Sequence, residues 1–328
     1  MDYNELREKF SKTTVAVIGD YAIDHCFYYL ATKLCPEAPC PTGYQIGETK
    51  TLGGAGNTAN NILSLGGKVI PVAIVGDDEY SKYLINFFVN RGVDTSLIFQ
   101  SKTKKLHFYR REYFSNSGAH AVPTLQCRIE REPQPDISKE ESKKIIDGLK
   151  NNLELFDAIV LSDYSKGIVV DPIINYLSKI DKIVLGDSRP QLHKFKNFNT
   201  LVPNDSEAYL ALTGKKNNKH LNEEEIKQIG VSLKKKLNPK NLIITAGPKG
   251  MIVFDGDEIY SLSATTTNNQ VLDIIGAGDT VAAAIALALG AGFSLYESAS
   301  FANKAAGVVV RKQGTATCTL DEIISLFL

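Results

Sequence analysis

The stretch "VLDIIGAGDTVAAAIALALGAG", residues 271–292, sets an acid into the start of an apolar helix. Gly276, Ala277 and Gly278 are small enough for a tight turn whose backbone N–H groups face outward, and the following helix adds its positive end. Together these make an anion hole. Asp279 then stands in the first turn of the helix, where its carboxylate reaches the same opening. A carboxylate beside an anion hole suits a base that takes a hydroxyl proton while the freed oxygen attacks a phosphorus held by the N–H groups. The competing reading is simple helix capping, with Asp279 a favourable first-turn charge. No G-x-x-x-x-G-K-[ST] occurs, which excludes a P-loop kinase or GTPase.

Other polar residues gather where short β-branched apolar runs end. The first run leads into Asp20 and Asp24, the third into Asp163, Tyr164, Ser165 and Lys166, the fourth into Asp187 and Arg189, and the fifth into Asn204 and Glu207. Aspartates and asparagines at such ends cap helices in any α/β fold, yet ligands bind beyond the carboxyl ends of parallel strands, so convergence on one edge is the informative feature. A second glycine cluster, "LGGAGNTANNILSLGG" (52–67), also precedes a helix. Gly54, Gly56 and Ala59 fit a relaxed dinucleotide fingerprint, which keeps a dinucleotide-dependent oxidoreductase as a competitor. It is weakened by the polar segment 43–51, which is no buried strand, and by Asn57, Asn60 and Asn61, whose amides suit hydroxyls.

The elements that must position these groups are legible in outline. Apolar runs at 14–19, 68–76, 157–163, 182–187, 200–204 and 241–247 alternate with helical patterns, which predicts an α/β fold with a mainly parallel sheet covered by helices on both faces. Ser138 with Glu141 forms a capping box, and Asp171-Pro172 reads as an N-cap followed by proline at the first helical position. Two aromatic, alternating segments, about 25–50 and 105–132, break the rhythm and read as antiparallel strands of a small β-sheet lying over one edge of the main layer. The expectation is one domain over 1–328 with a lid.

Balanced charge, 37 basic against 37 acidic residues, provides no global field for nucleic acid or an anionic membrane. At 43% hydrophobic residues the chain has ample core. The five scattered cysteines form no C-x-x-C pair and read as free thiols. Cys35 and Cys40 with His25 have the atoms for a metal, but Pro36, Pro39 and Pro41 make that segment an extended loop. The N-terminus has no apolar h-region, and no run of about 18 apolar residues occurs, so the chain reads as cytoplasmic.

Taken together, the motifs resemble the ribokinase, or PfkB, family of carbohydrate kinases. The resemblance rests on "GD" at 19–20 with Asp24, "GGAGNTANN" at 53–61, "LSDYSKG" at 161–167, "VPNDSE" at 202–207, "TAGPKG" at 245–250 and "DIIGAGDT" at 273–280. Within the family, "CPEAPCP" at 35–41, the Asp-Tyr-x-Lys-Gly run and "FANKAAGVVVRKQGTATCT" at 301–319 are similar to kinase domains acting on D-glycero-D-manno-heptose 7-phosphate at its anomeric hydroxyl, toward nucleotide-activated heptose. The resemblance implies a ribokinase-like fold, ATP and Mg2+ as cofactors, and a sugar or sugar phosphate as partner. It implies Asp279 as catalytic base, with the backbone of Ile275 to Gly278 as its anion hole. Asp20, Asp24, Gly53, Gly54 and Asn57 match sugar contacts, and Asp163 with Lys166 matches the heptose-kinase run, where the lysine holds a distal phosphate. Asn204 and Glu207 match the motif that organises Mg2+ through its waters. Thr245, Gly247 and Gly250 match the nucleotide loop, and Asn303 the helix bordering the adenine. Family members dimerise through the lid, which leaves a homodimer open here.

Two departures stand out. Ile275 replaces the usual threonine, removing a hydroxyl but no backbone donor, and the second lid segment is longer than expected for heptose kinases. No nucleotidyltransferase segment follows Leu328, so a separate enzyme is expected for that step. A kinase of another sugar, sugar phosphate or nucleoside, and a non-catalytic sugar-binding regulator, are the remaining alternatives.

Overall fold

The run Thr14–Gly19 is apolar on both sides, so it forms a strand only where both faces are covered. The computed structural model describes residues 3–116, 123–217 and 219–327, which leaves residues 117–122 of the second lid segment outside the described residues. In chain order the elements are α1 (Tyr3–Lys12), β1 (Thr14–Gly19), β2 (Tyr21–Leu34), β3 (Pro41–Gly54), α2 (Ala55–Ser64), β4 (Lys68–Val75), α3 (Glu79–Val89), β5 (Ile98–Gln100), β6 (His107–Ser115), β7 (Thr124–Glu130) and α4 (Lys139–Asn151). There follow β8 (Ala158–Asp163), α5 (Asp171–Leu177), β9 (Ile183–Ser188), β10 (Thr200–Leu201), α6 (Asp205–Thr213), α7 (Glu223–Leu237), β11 (Asn241–Thr245), β12 (Met251–Asp255), β13 (Glu258–Leu262), α8 (Ala277–Gly290), α9 (Leu295–Val309) and α10 (Leu320–Phe327).

The main sheet has the order β13-β12-β11-β10-β9-β8-β1-β4-β5. It is parallel from β5 to β11, and β12 and β13 add an antiparallel edge. Its faces separate two cores: Val15 and Val17 of β1 join one, Ala16 and Ile18 the other. The chain moves outward from β1 in one direction through β4 and β5, and in the other through β8 and β9. This is the switch point at which open parallel sheets bind ligands. Helix α8 runs beneath it with every residue from Asp279 to Leu289 buried, and its alanines let α2 and α9 approach closely.

The second sheet, β3-β2-β6-β7, is the lid. Its strands were expected to be antiparallel; β2 pairs β3 in that way, but β2 and β6 run parallel. The reason is topological. Both strands leave the same edge of the main sheet, β2 from the end of β1 and β6 from the end of β5, so both run outward together. Register then sets one lid face: Asp24 lies opposite Tyr109, Cys26 opposite Arg111, and Tyr109 opposite Glu130.

Local signals fare well. Ser138 and Glu141 make the reciprocal capping box expected of them. Helix α5, however, begins one residue earlier than predicted, with Val170 as N-cap and Asp171 inside the first turn. The Asp171 carboxylate is bonded instead to Lys194 Nζ at 2.8 Å.

Candidate active site

Asp279 sits in the first turn of α8 and is 3% exposed. Gly276 is the N-cap with φ 79°, a left-handed conformation, and a Cβ there would lie 2.6 Å from Asn57 Nδ2. Only glycine meets both conditions. No side chain caps the helix. The Ile275 N–H donates to Asp273 Oδ1 at 3.0 Å and the Ala277 N–H to the Ile274 carbonyl at 3.3 Å, so the anion hole narrows to the N–H groups of Gly276, Gly278 and the rest of the first turn. A Cβ on Gly278 would meet no protein atom within 4 Å, so the space beside those donors is open.

Both oxygens of the Asp279 carboxylate have donors. Asn57 Nδ2 reaches Oδ2 at 2.9 Å, and the Tyr164 phenol donates to Oδ1. Asn57 is itself held by Asn61, which also accepts from the Thr280 hydroxyl. Burial pushes the Asp279 carboxyl up to about 6, against the pull of the Tyr164 and Asn57 hydrogen bonds. That is a usable base near neutrality, deprotonated but with real proton affinity.

The expected sugar contacts divide into two groups. Asp24, Gly53 and Asn57 converge near Asp279: Asp24 forms a buried ion pair with Arg111 of the lid, and a Cβ on Gly53 would lie 2.7 Å from Asp24 Oδ2. Gly54, at φ 56°, makes the turn from lid strand into α2. Asp20 and Asp163 are otherwise employed. Asp20 accepts from the backbone N–H groups of Tyr164, Lys166 and Ile168 at 2.8, 2.9 and 3.1 Å. Asp163 accepts from the Ser165 N–H at 2.9 Å and the Ser188 hydroxyl at 2.6 Å. These two aspartates shape the loop that carries Tyr164 and Lys166. Lys166 Nζ lies 3.5 Å from Glu130 Oε2 and over the Tyr109 ring, so it joins the core to the lid.

Asn204 and Glu207 form a full capping box on α6, with both reciprocal bonds at 2.8 Å. Capping and metal organisation are compatible, since Glu207 Oε1 stays out of the box. Burial raises the Glu207 carboxyl, and burial followed by the charges of Glu207 and Asp279 raises that of Asp187 well above its usual range. Among the described residues no group of three acids, histidines or cysteines is placed to hold a metal ion directly.

Thr245, Gly247, Gly250 and Asn303 line one cavity of about 500 Å3 with Ala277 and Gly278. Its walls are largely apolar, from Met251, Val271, Ile274, Val281, Ala306 and Val310. The cavity suits a flat base, and it opens on the α8 turn where phosphates would meet the anion hole. Asn303 donates to the Ser263 carbonyl at 2.7 Å and so fixes the cavity's far wall.

The sequence matches the pfkB family carbohydrate kinases over residues 12–322. The chain belongs to the pfkB family of carbohydrate kinases. It is therefore a phosphotransferase with an alcohol group as acceptor. It is 34% identical over 315 residues to the bifunctional protein HldE of Nitratiruptor sp., covering 95% of this chain and 64% of that one. It is 36% identical over 317 residues to the HldE of Aliarcobacter butzleri, again covering 95% and 64%. The kinase thus spans somewhat under two thirds of these relatives. In fold it is similar to phosphofructokinase-2 of Escherichia coli, at TM-score 0.73 and 17% identity over 96% of this chain and 97% of that one. It is also similar to Arabidopsis thaliana ribokinase complexed with ribose and ATP, at TM-score 0.67 and 20% identity over 96% and 98%.

Within this kinase the dinucleotide fingerprint fails on geometry. The segment before Gly54 is lid strand β3, not a strand of the parallel sheet, and Gly56 lies inside α2 against Leu52 and Tyr21. Sequence reasoning did not assign site roles to Tyr164, Arg111, Asp187 or Arg189, nor to the apolar cavity wall. Tyr164 lay within a quoted motif, and Asp187 and Arg189 at a strand end, so all three had a signal. Arg111 and the apolar wall carried none that distinguishes them from ordinary lid and core residues. Among the described residues, no helix is long and apolar enough to cross a membrane.

Proposed function

We propose that this kinase transfers the γ-phosphoryl group of ATP to the anomeric hydroxyl of D-glycero-D-manno-heptose 7-phosphate, giving the 1,7-bisphosphate for nucleotide-activated heptose. The observation that carries the transfer is Asp279, buried and held by two donors, beside uncapped α8 N–H groups at the mouth of the apolar cavity. In this reading Asp279 takes the proton of the sugar hydroxyl, and the N–H groups of Gly276 and Gly278 hold the charge that develops on the phosphoryl oxygens. Asp24, Asn57 and the backbone at Gly53 orient the sugar. Mg2+, when bound, neutralises phosphate charge; Glu207 would hold it through water, with Asp187 nearby.

A phosphorylated acceptor is favoured by charge on the lid. Arg111 and Arg128 lie opposite one another on the face that carries Tyr109, and Lys166 meets that face from the core. Such cations suit a distal phosphate. The reading implies a cytoplasmic enzyme. A homodimer through the lid would cover Leu34, Tyr44 and Ile46, which are 77%, 73% and 61% exposed at the outer end of β2 and β3.

The test is ADP release on a panel of heptose 7-phosphate, free heptose, fructose 6-phosphate, ribose and adenosine. The highest kcat/KM is expected for the heptose phosphate. A faster rate on free sugars or a nucleoside would refute the substrate while leaving the kinase.

A further inference from the structure

Arg189 follows the carboxyl end of β9, and its backbone is anchored. The adjoining Ser188 hydroxyl donates to Asp163 Oδ2 at 2.6 Å, and the Arg189 N–H donates to the Asp163 carbonyl at 3.4 Å. Beyond this anchor the guanidinium lies over the Tyr164 ring, 4.5 Å from its centroid, with Nη2 3.5 Å from the phenol oxygen. That phenol donates to Asp279 Oδ1. Arg189 is thus two contacts from the base, yet it is exposed to solvent.

The charges of Asp279, Asp187 and Glu207 all bear on the Arg189 guanidinium. Among the described residues, none of these acids closes on it as an ion-pair partner. An arginine amid three acids, ion-paired with none and stacked on a ring, spends one Nη2 hydrogen on the Tyr164 phenol and, among the described residues, keeps a parallel pair of N–H groups free. Two parallel N–H groups in that state match two oxygens of a phosphoryl group.

We propose that Arg189 is a catalytic residue whose guanidinium grips the phosphoryl group during its transfer from nucleotide to sugar. The inference rests on the kinase reading above. In the step, the sugar hydroxyl proton passes to Asp279 and the sugar oxygen forms the new bond to phosphorus. The bond from phosphorus to the β-phosphate oxygen breaks, and ADP leaves with its electron pair. Arg189 and the α8 N–H groups share the charge on the three remaining oxygens.

Two measurements on Arg189→Ala and Arg189→Lys test this. With the best sugar of the panel, the alanine variant should lose about 10²–10³-fold in kcat, keep its sugar KM, and recover activity with added guanidinium, which should not stimulate wild type. Without any sugar, calorimetry should find that the same variant binds a non-hydrolysable ATP analogue about tenfold more weakly while its ADP affinity is unchanged. A wild type inactive on every sugar but showing this Arg189-dependent preference would support the arginine's role and overturn the sugar reading. Unchanged kcat in Arg189→Ala, or equal losses of ADP and analogue affinity without rescue, overturns the proposal.

Discussion

Asn57 Nδ2 donates to Asp279 Oδ2 at 2.9 Å, joining residues 222 positions apart. The amide holds the carboxylate in one rotamer and favours its ionised form, while Asn57 is itself fully buried and fixed by Asn61. The Asp279 carboxylate is therefore aimed by α2, the helix that follows Gly53 and Gly54 at the end of β3.

Removing that amide should separate aim from fold. Asn57→Ala is expected to lower kcat by about 10- to 100-fold and to cost about 1–3 kcal/mol of stability by leaving a buried carboxylate short of a donor. Steady-state kinetics and urea unfolding check both. Unchanged kcat would mean that Tyr164 alone positions the base.

Asp279→Asn should abolish turnover, leave nucleotide binding nearly intact and make the protein more stable at pH 8. The sign follows from the raised carboxyl, at about 6 in the fold against 3.8 for the ordinary group. A raised group contributes stability that is present below its unfolded value and lost as pH rises through its folded one, so the charged form is the costly one. The variant's advantage should be near zero below pH 4 and grow to about 3 kcal/mol above pH 6. Urea melts across that range are the check, and an advantage that grows toward low pH would contradict the burial argument.

The same group sets the acid side of the rate profile. kcat/KM should fall as pH drops through about 6, where Asp279 takes up its proton and can no longer accept one from the sugar. A profile flat down to pH 5 would remove Asp279 as the titrating base.

Two glycines at opposite ends of α8 distinguish turn strain from site geometry. Gly276 has φ 79° and Gly292 has φ 85°, but only at Gly276 would a Cβ meet a neighbour, Asn57 Nδ2 at 2.6 Å. Gly276→Ala and Gly292→Ala should each cost about 1–2 kcal/mol from backbone strain. Only Gly276→Ala should also lose activity, by displacing Asn57. Equal activity in the two variants would rule out that coupling.

Lys166→Met should raise the KM for a phosphorylated sugar about tenfold or more and leave the KM for ATP unchanged. Its partner Glu130 gives the control: Glu130→Gln frees the lysine and should not raise the sugar phosphate KM. A Lys166→Met variant that loses ATP affinity instead would move the lysine to the nucleotide side.

The sequence alone determined what neighbours in the chain determine. The strands on both sides of the switch point are short runs apolar on two faces, and the capping box at Ser138 is a pair of bonds between residues three apart. The loop before Asp279 is equally local: a glycine that must turn and an acid in the next helical turn. What tertiary structure alone decided is which distant groups meet. Asp20 and Asp163 carried the same sequence signal as Asp24, a polar residue at or just beyond a strand end. Only the fold shows their oxygens occupied by the 164–168 loop and Ser188, while Asp24 meets Arg111. Likewise, Tyr164 and Asn57 reach Asp279 because β8 lies beside β1 and α2 packs on α8. Strand order and helix packing bring these groups into register, and neither is set by the residues immediately around them.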